Sequence, residues 1–122
     1  MQPLVLLVDD AEDVRELYSE SFSNAGFQVD HAVDGEHALL KMGSRMPDVV
    51  VMDLAMPVLD GWEATRRIKA HARTRHIPVI ALTGDGSEAG LQRAEDAGAD
   101  VVVTKPCTPQ ALIVMVHRLL DE

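Results

Sequence analysis

Five side chains capable of chemistry stand at the ends of apolar runs. Asp9 and Asp10 close "LVLLVDD", Asp53 closes "VVVMD", Thr83 closes "IPVIALT", and Lys105 follows "VVVT". Taken singly, each has an ordinary use: Asp9 and Asp10 as caps of a following helix, Thr83 as a turn opener, Lys105 as a surface charge. Together they are three carboxylates, a hydroxyl and an ammonium at the ends of four apolar segments, a convergence that independent capping needs seldom produce. Asp53 poses the sharpest question, because an ionised carboxylate beside Val49, Val50, Val51 and Met52 is costly unless a cation or donors compensate it.

Electrostatics narrows the chemistry. Two carboxylates about 4 Å apart repel by roughly 4 kcal/mol at an effective dielectric of 20, so three stay ionised together only with added positive charge. Lys105 supplies one unit. An all-oxygen donor set suits a hard divalent ion, and Mg²⁺ (or Mn²⁺) fits it better than zinc, which prefers His or Cys. A carboxylate nucleophile beside a divalent ion, an ammonium and a hydroxyl has the parts needed to form an aspartyl phosphate.

What positions these groups is a regular alternation. Apolar runs rich in Val, Ile and Leu begin at Leu4, Phe27, Val49, Ile77 and Val101, and each reads as a strand. Most are continuously apolar, the pattern of parallel strands covered on both faces. Between them the spacing is helical. Val14, Leu17, Tyr18 and Phe22 make one stripe that stops near Gly26. Asp34 caps a second helix carrying Ala38, Leu39 and Met42. A third follows Gly61 with Trp62, Thr65 and Ile68, and a fourth runs from about Ser87 to Gly98 with Ala94 and Ala97 inward. Gly90 weakens that fourth helix by about 1 kcal/mol relative to Ala. The last begins at Pro109 and presents Leu112, Val116, Leu119 and Leu120. Strand followed by helix, repeated along 122 residues, predicts an α/β fold with a parallel sheet and a single domain over 1–122. In such sheets, sites form outside the carboxyl ends of the strands, where the five side chains stand.

Composition excludes several classes. The formal net charge of −9 argues against a nucleic-acid surface, which needs clustered Lys and Arg. Five of the 11 basic residues do fall in "RRIKAHARTR", from Arg66 to Arg75; this reads as a solvated helix face and its exit loop, with a docking patch for an acidic partner as the lesser reading. No apolar run approaches the roughly 20 residues of a membrane span, and "LVLLV" is too short and too soon followed by acids to be a signal peptide. With a single cysteine, Cys107, no internal disulfide can form, and a cytoplasmic location is expected. His31, His37, His71, His76 and His117 are scattered and read as surface or packing residues.

The blocks "LLVDD", "MDLAMPVLDGWEATRRIK", "PVIALTGDG" and "GADVVVTKP" make the chain similar to the receiver domains of bacterial two-component response regulators, the stand-alone chemotaxis regulator included. The resemblance spans essentially the whole sequence. It implies a flavodoxin-like, doubly wound (βα)5 fold with five parallel strands in the order 2-1-3-4-5. It implies that Asp53 accepts a phosphoryl group from a phosphohistidine on a sensor histidine kinase or histidine phosphotransfer protein. By the same resemblance Asp10 and Asp53 bind Mg²⁺ directly, Asp9 acts through water, and the Ala55 backbone carbonyl completes the protein ligands. Lys105 then pairs with the phosphoryl oxygens, the Thr83 hydroxyl turns inward to them, and the Lys105–Pro106 bond is cis. Receivers of this kind catalyse only their own phosphorylation and dephosphorylation, and alter the binding of a downstream protein target.

Some positions depart from the family pattern. Val102 stands where an aromatic switch residue is frequent, three places before the Lys, and Cys107 stands where a Phe often follows the Pro. Ala55 and Asp85 occupy positions that tune hydrolysis of the phosphoryl group, and Ala55 can steer no water through a polar side chain. Two alternatives follow. One is a scaffold whose binding ignores phosphorylation, which Val102 encourages. The other is a phosphohydrolase of the haloacid dehalogenase type, which Ala55 opposes, since those enzymes carry a second Asp two residues after the nucleophile.

Overall fold

The computed structural model describes residues 2–56 and 58–121. Strands β1 (Leu4–Val8), β2 (Gln28–Ala32), β3 (Val49–Asp53), β4 (Val79–Thr83) and β5 (Val101–Thr104) alternate with helices α1 (Glu12–Asn24), α2 (Gly35–Ser44), α3 (Gly61–Ala70), α4 (Glu88–Asp96) and α5 (Pro109–Leu120). The strands are all parallel and pair in the order β2-β1-β3-β4-β5. This is the parallel α/β fold that the apolar pattern predicted, in the flavodoxin-like strand order that the resemblance implied.

The continuous apolar runs are explained by two cores, one on each face of the sheet. Val5, Leu7, Val49, Val51, Ile80 and Leu82 face Phe22 of α1 and Leu112 and Val116 of α5. Their neighbours Leu6, Val8, Val50, Met52, Val79 and Ala81 face Ala38 and Met42 of α2, Ala64 and Ile68 of α3, and Ala94 of α4. Because side chains alternate along a strand, both sets must be apolar for a central strand to be covered twice. β2 and β5 lie at the edges and are only partly covered.

The helix starts follow the sequence signals. Asp34, Asp60, Ser87 and Thr108 are N-caps whose side chains accept from His37, Glu63, Gly90 and Ala111 backbone N–H groups, each such cap being worth about 1 kcal/mol. α1 differs: its N-cap is Ala11, with no side-chain cap bond, so neither Asp9 nor Asp10 is its N-cap. The expected α1 stripe is narrower than its spacing suggested. Phe22 is buried, but Leu17 is 55% exposed, because Tyr18 and Phe22 already fill the contact with the sheet and α5.

At the opposite edge of the sheet, two aspartates tie the strand entrances. The Asp48 carboxylate accepts from the Leu4 N–H at 2.7 Å, and that of Asp100 accepts from Val79 N–H at 2.8 Å while pairing with Lys69 at 2.7 Å. No helix among the described residues is long and apolar enough to cross a membrane.

Candidate functional site

The site is assembled where β1, β3, β4 and β5 end. Asp53 is the last residue of β3 and only 4% exposed. Its Oδ1 accepts a hydrogen bond from Lys105 Nζ at 2.8 Å, across 52 residues of chain. Lys105 follows β5, and its backbone N–H donates to the Thr83 carbonyl at 2.8 Å, continuing the β4–β5 ladder one step past the strand. Its bond to Pro106 is cis, as the resemblance implied.

Asp9, Asp10 and Asp53 each offer a carboxylate oxygen within 4.8 Å of the others. Asp9 is 7% exposed while Asp10 is open to solvent. Asp9 Oδ1 accepts from Ala11 N–H at 2.9 Å, and its carbonyl accepts from the Arg15 guanidinium at 2.7 Å. Burial pushes the Asp9 carboxyl above its ordinary value, and the charges of Asp53 and Asp10 push the same way, against the Ala11 hydrogen bond and Lys105. Burial disfavours the Lys105 ammonium, but its hydrogen bond to Asp53 and the charges of Asp53 and Asp9 outweigh that and raise its pKa. With the ligand oxygens no more than 4.8 Å apart, each carboxylate pair repels by roughly 3 kcal/mol or more at an effective dielectric of 20. One ammonium therefore leaves the trio short of positive charge, and an all-oxygen set of this density fits a divalent metal.

Thr83 ends β4 and is 4% exposed. Its hydroxyl is engaged in a turn: Oγ1 accepts from the Asp85 N–H at 3.0 Å and donates to the Asp85 carbonyl at 3.4 Å. Asp85 is exposed, and hydrogen bonds from the Ser87 side chain and backbone hold its carboxyl below the usual range. Ala55 is exposed two residues beyond Asp53. Val102 sits on β5 beside Ala81, half-buried against the core on the α3 and α4 side.

Four features of the site escaped sequence reasoning. Tyr18 of α1 donates its hydroxyl to the Cys107 carbonyl at 2.7 Å, clamping the segment that carries Lys105. Gly61 begins α3 so close to β3 that a Cβ there would lie 2.4 Å from the Asp53 carbonyl oxygen; the "DG" dipeptide was its only signal. Val58, in the loop after Asp53, adopts φ 69°, a left-handed conformation that is strained for a β-branched residue. Gly90, read as a weak point of α4, is a close approach: a Cβ there would lie 2.4 Å from the Asp85 carboxyl carbon.

Trp62 packs against the α3-side core, and the Arg93 guanidinium of α4 lies 3.7 Å from its ring centroid. The five histidines lie outside the acidic cluster.

Residues 5–117 match the response regulator receiver domain. The chain is 32% identical over 120 residues to the phosphate regulon transcriptional regulatory protein PhoB of Rhizobium meliloti, covering 98% of this chain and 53% of that protein. It spans about half the length of the curated relatives it matches. Among solved structures, the chemotaxis response regulator CheY4 of Vibrio cholerae superposes with a TM-score of 0.92 at 31% identity, covering 98% of this chain and 100% of that one. The BeF3-activated DrrB receiver domain gives 0.89 at 31% identity, with both chains covered in full at 100%.

Proposed function

This chain belongs to the response regulator receiver family, a family of signalling domains and not of classical enzymes, and on that premise we propose that Asp53 is its phosphoacceptor. The donor is a phosphohistidine on a sensor histidine kinase or a histidine phosphotransfer protein. An Asp53 carboxylate oxygen attacks phosphorus, the phosphorus–nitrogen bond breaks, and its electron pair returns to the imidazole, leaving an acyl phosphate on Asp53. The observation that carries this reading is the Lys105–Asp53 pair at 2.8 Å inside a cluster of three acids.

Asp10 and Asp53 would hold Mg²⁺ (or Mn²⁺) directly, Asp9 would act through water, and the Ala55 carbonyl would complete the set; the three carboxylates stand close enough to share one ion. When bound, the ion supplies positive charge against that of the phosphoryl group being transferred. Lys105 transfers its hydrogen bond from the carboxylate to a phosphoryl oxygen. The Thr83 hydroxyl exchanges the Asp85 backbone for the same group, which links the site to the start of α4. Asp85 and Ala55 flank the path of hydrolytic water. The output is altered binding of a downstream protein target.

Incubation with Mg²⁺ and acetyl phosphate tests this. The wild type is expected to take up hydroxylamine-sensitive phosphate, and Asp53→Ala to take up none. Absence of label on the wild type, or equal label on both, overturns the reading. Val102 favours one rival, a scaffold indifferent to phosphorylation, because a valine has no ring to swing toward Thr83. Under that rival, beryllofluoride leaves binding of the downstream protein unchanged; under the reading proposed, it shifts it.

A further inference from the structure

We propose that the groove between the C-terminal ends of α2 and α3 is a docking surface for an acidic amphipathic helix of a partner protein. The groove has a volume of about 530 Å³. Leu39, Met42 and Met46 form its apolar floor, and Arg67, His71 and Arg73 line its α3 side. It lies at the far end of the molecule from Asp53. α3 starts against the Asp53 carbonyl and runs away from it for ten residues, about 15 Å at 1.5 Å per residue.

Three observations identify the occupant. Its charge is set by the rim: no acid is present among the described lining residues, although the chain carries −9 overall and five of its 11 basic residues fall between Arg66 and Arg75. Arg67 is shared with Glu63 at 3.1 Å, whereas Arg73 has no ion-pair partner among the described residues. Such a pole attracts an acidic partner and repels a basic one. The shape of the groove points to a macromolecular segment: Gly43, Met46, Arg67, Ala70, His71 and Arg73 are all exposed and only Met42 is fully buried, so a small apolar ligand would keep much of its surface in water. A helix laid along the groove would cover that open floor with its i, i+3, i+4 and i+7 side chains. The floor chemistry fits as well, because unbranched, polarisable methionines re-pack around a helix face.

The test needs no phosphodonor and no magnesium, so it stands or falls separately from the phosphoacceptor reading. A displayed library of amphipathic helices is selected on the full wild-type chain in EDTA, and binders are measured by fluorescence anisotropy against two variants. Gly43→Leu fills the groove: a Cβ at that position meets nothing within 4 Å, and Leu is a better helix former than Gly, so the fold is kept. Arg73→Glu reverses the unpaired rim charge. The expected binders carry an apolar stripe flanked by Asp and Glu, and each variant weakens them about tenfold or more, as loss of a central anchor or charge does. Amide shifts on binding should fall in 39–46 and 67–74. The proposal is overturned by binders with basic flanks, by binders indifferent to both variants, by a selection that yields none, or by dodecanoate occupying the groove in preference to every peptide. It is also overturned if the chain polymerises through this groove and Gly43→Leu abolishes the polymer, since a second copy of the chain is then the occupant.

Discussion

At the scale of single residues, the site is held away from its electrostatic optimum. Asp9 is buried beside two other acids, and its pKa in the folded chain is raised from 3.8. The sign of its effect on stability follows. A carboxyl that holds its proton more tightly when folded makes ionisation destabilising, so in metal-free buffer Asp9 weakens the fold at neutral pH. That effect fades as pH falls through the folded pKa and vanishes below the unfolded value. Asp9→Asn keeps an oxygen that can accept from Ala11 and removes the charge. It is expected to raise the urea midpoint at pH 7 in EDTA, with a gain that shrinks toward pH 3.8. A divalent ion relieves the same repulsion, so MgCl₂ should stabilise the wild type, by about 2.7 kcal/mol at a hundredfold excess over its Kd, and Asp9→Asn less. A lower midpoint for the variant in EDTA, or no response of the wild type to magnesium, would refute this account of the acidic cluster.

The gathering of the candidate site residues was legible in the sequence because sites in a parallel sheet form at its strand ends, and Asp9, Asp10, Asp53, Thr83 and Lys105 all stand there. Tyr18 was not, since its hydroxyl meets a backbone carbonyl 89 positions away and the helical stripe gave it only an apolar role. Tyr18→Phe removes one hydrogen bond with little loss of packing. It should cost about 0.5–1.5 kcal/mol by urea unfolding. It should also slow labelling by acetyl phosphate severalfold, because the segment after Lys105 is less constrained. Unchanged labelling would reduce Tyr18 to a packing residue.

At the scale of elements, two glycines separate packing from propensity. Both lie in helices, and sequence alone treats them alike. At Gly61 a new Cβ would strike the Asp53 carbonyl oxygen at 2.4 Å and Leu54 Cα at 2.6 Å, backbone atoms that cannot turn aside; at Gly43 it would meet nothing within 4 Å. Gly43→Ala should therefore stabilise by about 1 kcal/mol through helix propensity. Gly61→Ala should destabilise by about 1–3 kcal/mol through overpacking and slow phosphorylation by shifting the end of β3. Thermal unfolding of the two variants gives the comparison, and equal signs would contradict it. Element types and order were readable because the apolar period changes cleanly from strand to helix. What was not readable was contact between elements: the exposure of Leu17 depends on what α5 and the sheet leave uncovered, and the Gly90 close approach depends on where the Asp85 turn folds back.

At the scale of the whole molecule, the sheet is a shared wall between two cores, and stability should be distributed accordingly. Ile68 of α3 belongs to one core and Ile80 of β4 to the other, and both are fully buried. Replacing either by Val removes one methyl group and should cost about 0.5–1.5 kcal/mol. The lesions lie on opposite faces and share no cavity, so in the double variant the costs should add to within about 0.5 kcal/mol. Their effects should nonetheless appear in one transition. β3 and β4 carry residues of both cores, so neither core can come apart without taking the central strands with it, and the urea m-value should stay the same across wild type, single and double variants. A second transition, or a lower m-value confined to Ile68→Val, would mean that the α2, α3 and α4 layer unfolds on its own. The acidic site would then rest on a wall that can lose one side while keeping the other, and the rigid placement of Asp53 that the proposed phosphoacceptor role calls for would need another source.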